Sequence, residues 1–309
     1  MKVHLRTTVA LLFLTSAASA QQPTTKTGEP FQFRDTRRMV MTWVAPYAVA
    51  ASKARLQEIF QGLGMKEGLT HLALQFFEPT MQGGVRRSRN GDDLSDARII
   101  ELRDWAHGNG IRVMLCVYNG GSSWDWPLAR AAFANHPKEF AANLLLEVER
   151  LNLDGVDVDL EGNGELDADK KVYVDFIREL SNRLHEKKRQ LTVDSFAHIW
   201  NAPNQSWWKE LLPLVDGLNT MGYNLISSAG KDWSGYAAQE AACGQYAAKL
   251  LIGMPSDVGQ WRDLDATEHL RWMRDHGQSG VSIWDAQMEA PAWRSRDTWI
   301  ILKQIRGTQ

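Results

Sequence analysis

Four carboxylates fall within eight residues, Asp154 to Glu161, which read Asp-Gly-Val-Asp-Val-Asp-Leu-Glu. Acidic side chains are poor strand formers, yet Asp157, Asp159 and Glu161 alternate with Val156, Val158 and Leu160, the period of a strand rather than of a turn or helix. Alternation turns those three acids to one side, about 6.5 to 7 Å apart along an extended chain, and the aliphatic residues to the other. A calcium loop is a poor reading, because it needs oxygen ligands at turn spacing with a glycine at its sixth position. A solvated edge strand fares no better. Helical stretches flank the run (Phe140 to Leu153 and Asp167 to Lys188), a parallel β-α-β setting in which strands are buried on both faces. Three acids buried together cannot all be anions, so at least one retains or shares a proton. Such a group is a ready general acid, and the carboxyl end of a buried strand is where perturbed carboxylates do chemistry.

The elements that must position this run are legible on either side of it. Met39 to Val44, Leu69 to Phe77, Ile111 to Tyr118, Leu191 to Ala197, Gly217 to Tyr223, Lys249 to Met254 and Gly280 to Trp284 read as seven further strands. Helices are expected around Ser52 to Leu63, Leu94 to His107, 205 to 213, 234 to 248, 264 to 276 and 295 to 306, with Gln82 to Asp93 a polar loop. Gly108-Asn109-Gly110 ends the second of these helices with residues that tolerate positive φ. Eight β/α units in roughly 270 residues are the count and size of an α/β fold of the (β/α)8 TIM-barrel type. A doubly wound sheet is disfavoured, since no glycine-rich phosphate loop opens a helix, and no internal repeat is visible.

Catalytic groups in such a barrel project from the carboxyl ends of strands. The third strand ends Tyr118-Asn119-Gly120-Gly121, where paired glycines permit close approach. The sixth ends Asn219-Thr220-Met221-Gly222-Tyr223-Asn224, with Met221 and Tyr223 on one side, and the eighth ends Ser282-Ile283-Trp284. The chain holds 13 tryptophans, against about four at ordinary usage. Trp124, Trp126, Trp200, Trp207, Trp208, Trp233 and Trp261 fall in predicted loops after strands, whereas Trp105, Trp272 and Trp299 lie on helices at core spacing. Aromatic faces beside acids suit sugar rings, whose C–H faces are apolar while their hydroxyls need polar partners. Each loop tryptophan, Met221 and His198 also has a plain packing reading.

Composition bounds the rest. At 309 residues, 44% hydrophobic and 23% charged, the chain supports one large domain, and a net charge of −2 speaks against nucleic acid as a partner. Lys2 and Arg6 precede the apolar run Val9 to Leu14, and Ala18-Ser19-Ala20 offers a small-x-small cleavage site. Residues 1–20 are therefore expected to be a signal peptide for export, to the periplasm or outside the cell, with 21–35 a flexible segment and 36–309 the barrel. No other stretch approaches the ~20 apolar residues of a membrane span. Cys116 and Cys243 are expected to be separate buried thiols, and the protein a monomer.

With these motifs in view, the chain resembles glycoside hydrolase family 18, the chitinase and endo-β-N-acetylglucosaminidase family. The family's signature Asp-x-x-Asp-x-Asp-x-Glu is complete as Asp154, Asp157, Asp159 and Glu161. Val215 to Tyr223, Leu251-Ile252-Gly253-Met254-Pro255 and Gly280-Val281-Ser282-Ile283-Trp284 match further strands of the family. The resemblance implies cleavage of β-1,4 bonds in N-acetylglucosamine (GlcNAc) glycans, with the substrate's own acetamido oxygen attacking the anomeric carbon. Glu161 would be the acid and later the base, Asp159 would hold the acetamido N–H, and Asp157 would trade a proton with Asp159. Tyr223 would donate to the acetamido oxygen, and Trp284 would floor the reacting subsite. Met221, Asn224, Gly120 and Gly121 are the further binding candidates, and no metal or cofactor is called for.

Two departures qualify the resemblance. Tyr118 stands where the family usually has Ser, and Asn224 where many chitinases have Asp. About 25 residues separate the last two strands, too few for the insertion domain that deepens the groove of many chitinases. An open cleft and endo action are therefore expected. Chitin, the N-glycan core and peptidoglycan all fit, and a non-catalytic sugar-binding protein on the same scaffold is the alternative that the presence of Glu161 disfavours.

Overall fold

The computed structural model describes residues 38–307 apart from 66, 92, 121–123, 163–165, 196–206, 224–231 and 262–264. Eight parallel strands close into a barrel: β1 (Val40–Val44), β2 (His71–Pro79), β4 (Arg112–Tyr118), β5 (Gly155–Asp159), β6 (Gln190–Ser195), β7 (Gly217–Thr220), β8 (Leu250–Pro255) and β9 (Gly280–Trp284). Closure is made by β1, which pairs with β2 through Met41↔His71 and with β9 through Val40↔Val281. Helices α1 (Val49–Gln57), α2 (Asp96–Gly108), α3 (Trp126–Arg130), α4 (Pro137–Leu151), α5 (Leu166–Glu186), α6 (Trp208–Leu211), α7 (Ser234–Cys243), α8 (Val258–Trp261), α9 (Ala266–His276) and α10 (Arg296–Arg306) lie along the connections.

Parallel neighbours need crossovers, and the helices supply them with one apolar stripe each. In α4 the stripe is Phe140, Ala141, Leu144, Val148 and Leu151, all buried. The helix then stops at Asn152, whose φ of 50° is left-handed, and Gly110 does the same after α2 with φ 79°. The expected strands and main helices are present. Three differences are local. A short strand β3 (Val85–Arg87) forms inside the expected polar loop by folding back antiparallel on the end of β2. Helix α3 follows β4 where only a loop was expected. Strand β7 stops at Thr220, three residues before Tyr223, so Met221 and Tyr223 stand beyond the ladder.

Side chains on the outer faces of the strands join the helices in one large core. A second apolar cluster holds Met41, Trp43, Ala73, Met114, Cys116 and Leu251. The inward side along β5 to β7 is instead polar, with Asp157, Asp159, Thr192, Asp194 and Asn219 all buried. The polar groups are thus gathered on neighbouring strands toward the carboxyl end of the barrel. Cys116 and Cys243 are both free and buried.

Candidate active site

The first acid of the signature is structural. Asp154 lies just before β5, buried, and accepts the backbone N–H of Val113 at 2.7 Å while its Oδ2 lies 2.7 Å from His107 Nε2. These bonds join the amino-terminal foot of β5 to β4 and α2.

Asp157 is the deepest of the inward acids and is met by donors on every side. Trp43 Nε1 donates to Oδ2 at 2.7 Å, Thr192 Oγ1 to Oδ1 at 2.5 Å and Asn219 Nδ2 to Oδ1 at 3.5 Å, with the Cys116 thiol adding another. Burial pushes this carboxyl up and the donors pull it back. Asp159 sits one step nearer the mouth. Its Oδ2 accepts from Gln75 Nε2 at 2.8 Å, it shares a hydrogen bond with Glu161, and its Oδ1 is buried with no partner among the described residues. Burial, and then the charge of Asp157, raise it to about 7.

Glu161 stands beyond the end of β5 and is partly exposed. Its position is set by its backbone: Asn119, fully buried after β4, accepts the Glu161 N–H at 2.8 Å and donates to the Glu161 carbonyl at 2.7 Å. Burial and the neighbouring Asp159 hold the Glu161 carboxyl well above its usual range, which favours its protonated form. Asn119→Ala removes both bonds while touching no part of the carboxyl. The expected result is a fall in kcat of about tenfold with KM within about twofold, since only the placement of the acid is disturbed. Steady-state kinetics with melting curves as a folding control checks it.

Tyr223 and Trp284 stack with ring centres 6.4 Å apart and planes at 28°, and Trp43 lies 5.9 Å from Trp284, tilted by 53°. Burial and the surrounding carboxylates raise the Tyr223 hydroxyl well above its ordinary value, keeping it an O–H donor. Its ring occupies space that Gly253 leaves open, for a Cβ there would lie 2.6 Å from Tyr223 Cε1 and 1.9 Å from the Thr220 carbonyl oxygen. Gly253→Ala is therefore expected to cost ~3 kcal/mol or more of stability and to displace Tyr223, read by thermal melting and by a fall in kcat.

Gly120 packs between aromatic rings, where a Cβ would come 2.7 Å from Tyr118 and 3.3 Å from Trp124. Met221 is half-buried just past β7, its N–H bonded to the Ser195 carbonyl at 2.7 Å. Gly121, Asn224, His198 and Trp200 lie outside the described residues. Tyr118, in the place of the usual Ser, turns its hydroxyl to Ser88 Oγ at 2.6 Å, and Ser88 in turn donates to buried Glu78 at 2.8 Å, tying the β2–β3 hairpin to β4.

The loop tryptophans need correction. Trp126, Trp207, Trp208 and Trp261 are at most 3% exposed and belong to the core. Trp126 packs on Phe133, Trp207 on Tyr173, and Trp261 donates its indole N–H to the Pro255 carbonyl. Trp233 packs against the same core. Trp124 alone of the described set is exposed, at 39%. Trp105, Trp272 and Trp299 pack as expected. Gln75, Asn119, Trp43 and Asp194 are site residues that the sequence reading misses, although a polar residue within the apolar run Leu72 to Phe77 is a usable signal for Gln75.

A closed parallel barrel with hydrogen-bonded, proton-retaining acids at the carboxyl end of one strand and stacked aromatic rings beside them defines a glycosidase. The chain belongs to the glycosyl hydrolases family 18, whose family model matches residues 43–269. Among solved structures it is similar to a chitinase from Chromobacterium violaceum (20% identity, TM-score 0.66, covering 88% of this chain and 100% of that one). It is also similar to the spore cortex-lytic enzyme SleL of Bacillus cereus (14% identity, TM-score 0.67, covering 91% and 76%) and to a class V enzyme of Pseudomonas fluorescens (14% identity, TM-score 0.66, covering 87% and 99%). No curated protein matches it.

Proposed function

We propose that this chitinase-like hydrolase cleaves β-1,4 bonds of GlcNAc-containing glycans by substrate-assisted, retaining catalysis. The observation that carries the reading is the hydrogen bond between Asp159 and Glu161. A retaining glycosidase with a protein nucleophile keeps its two carboxyls about 5 to 5.5 Å apart, flanking the bond, and an inverting one keeps them farther apart still. Two carboxyls joined by a hydrogen bond stand on the same side of the sugar. The nucleophile then comes from the substrate, and the 2-acetamido oxygen is the group within reach of the anomeric carbon.

Glu161 gives its proton to the leaving oxygen and afterwards takes one from water. Asp159 turns from Glu161 to the acetamido N–H and stabilises the oxazolinium ion as a carboxylate. Asp157 shares the proton load beside it, Tyr223 donates to the acetamido oxygen, and Trp284 supports the sugar face. Endo action follows from the short connection between β8 and β9, and the residues before the barrel fit export.

The test is to incubate the purified protein with N-acetylated and de-N-acetylated chitin oligomers, peptidoglycan and N-glycans, and to identify products by mass spectrometry. Cleavage confined to acetylated sugars, with internal products and a retained β-anomer, is the expected result. Equal cleavage of the de-N-acetylated oligomer would remove the acetamido nucleophile, and release of disaccharide from one end only would remove endo action.

A further inference from the structure

Asp194 has no role in the mechanism just given, and its surroundings supply one. It lies on β6, 6% exposed. The register between β5 and β6 pairs Asp157 with Thr192 and Val158 with Val193, so the next step brings Asp194 level with Asp159 on the adjacent inward-facing position. Neighbouring strands run about 4.8 Å apart. Each of these two acids has a buried Oδ1 with no hydrogen-bond partner among the described residues. The register between β6 and β7 then sets Asp194 beside Asn219, whose amide donates to it and also reaches Asp157 at 3.5 Å.

The donor supply separates the acids. Asp157 receives Trp43, Thr192, Cys116 and Asn219, donors that offset part of the cost of burying its charge. Among the described residues, the donor to Asp194 is the Asn219 amide. Among the described residues the titratable groups around it are Asp157, Asp159 and Glu161 on the β5 side, Cys116 on β4, Tyr173 on α5 and Tyr223 after β7, and none of these is a cation. An anion at 194 would face like charges with one neutral donor, whereas a carboxylic acid there has a proton that needs an acceptor. Two adjacent acceptors have no partner among the described residues, Oδ1 of Asn219 and Oδ1 of Asp159, and the second, as a carboxylate, is the stronger.

We propose that Asp194 is a further positioning residue of this active site, a carboxylic acid whose O–H is directed at Oδ1 of Asp159 and steadies that carboxylate while it holds the substrate's acetamido group. The proposal rests on the role given to Asp159 under the proposed function. No proton changes owner in it: Asp194 stays neutral and lends a hydrogen bond when Asp159 carries charge. Burial and the charges of Asp157 and Asp159, which hold the Asp194 carboxyl well above its usual range, agree with this.

The experiment compares wild type with Asp194→Asn and Asp194→Leu, measuring kcat and KM on a GlcNAc oligomer as a function of pH, with melting curves as a folding control. Asn is neutral, of the same size, and still offers Asp159 an N–H, so its kcat stays within about threefold and the acidic side of its pH profile overlays wild type. Leu keeps the volume and loses the donor. Its kcat falls about tenfold or more with KM little changed, and the acidic side moves up by about half a pH unit, because a lost donor raises the Asp159 carboxyl. A downward move in the Leu variant means that the native residue is an anion. An unmoved profile means packing alone, and an Asn variant as impaired as Leu means that no donor is needed. Each of these overturns the proposal. Should the Leu variant not fold, the Asn variant decides: retained kcat and profile support the proposal, and loss of either overturns it. A wild-type protein silent on every GlcNAc glycan sinks the substrate reading instead. In that case the protonation of Asp194 is read directly, from its carboxyl resonance in carbon-13 aspartate-labelled protein, assigned by its disappearance in Asp194→Asn. Titration only above neutral pH supports the neutral acid, and titration at the ordinary aspartate value overturns it.

Discussion

Glu161→Gln is expected to lower kcat on a GlcNAc oligomer by about 10³-fold while leaving ligand affinity within a few-fold. Glutamine matches glutamate in size, keeps the backbone clasp of Asn119, and can still donate to Asp159. What it cannot do is surrender a proton to a departing oxygen and take one back from water. Turnover and binding are measured separately, the first by product release and the second by calorimetry. Unchanged turnover would end the assignment of Glu161 as the acid. A parallel loss of binding would make it a ligand contact instead. The same pair of measurements separates an enzyme from a sugar-binding protein, since the latter has no turnover to lose.

Asp159→Asn is expected to lower kcat by about 10²-fold, since the group opposite the developing positive charge becomes neutral, and at the same time to make the protein more stable at alkaline pH. The folded carboxyl is raised to about 7 from an ordinary 3.8. A raised acid favours the fold where it is protonated, and that contribution is lost as pH climbs from about 4 through 7. By pH 8 the wild type carries the full cost of an ionised buried carboxylate, up to about 4 kcal/mol. The variant has no such cost. Buried His71, lowered to about 4, works in the opposite direction below pH 6.5, but it is present in both proteins and cancels in the difference. Melting curves at pH 5 and pH 8 check this: the variant's advantage should be larger at pH 8. An advantage that does not grow with pH would mean that Asp159 is not the acid that burial has raised.

Much of this was legible in the residues themselves. The period of two that sets Asp157 and Asp159 on one face needs no partner to be read, and the eight strands announce themselves by apolar runs between polar ones. Pairing across the barrel is different. That Asn119 holds the backbone of a residue 42 positions later, or that Gln75 reaches Asp159, is decided by strand register and closure, which no local pattern contains. The tryptophans mislead for a related reason. Trp126, Trp207 and Trp208 follow strands in the chain, but α3 and α6 turn them beneath the surface, so position after a strand does not establish exposure to a cleft. Strand β3 was hidden because Val85-Arg86-Arg87 has no alternation to notice and exists by leaning on β2.

The location of Asp154 has a practical corollary for protein engineering. The octapeptide that identifies the family mixes residues of two kinds, and its opening member spends its carboxylate fastening the foot of the barrel to His107 and Val113. Grafting the eight residues alone onto another scaffold would import an acid stripped of those attachments, so a successful transplant must carry the anchoring neighbours along with the reactive ones.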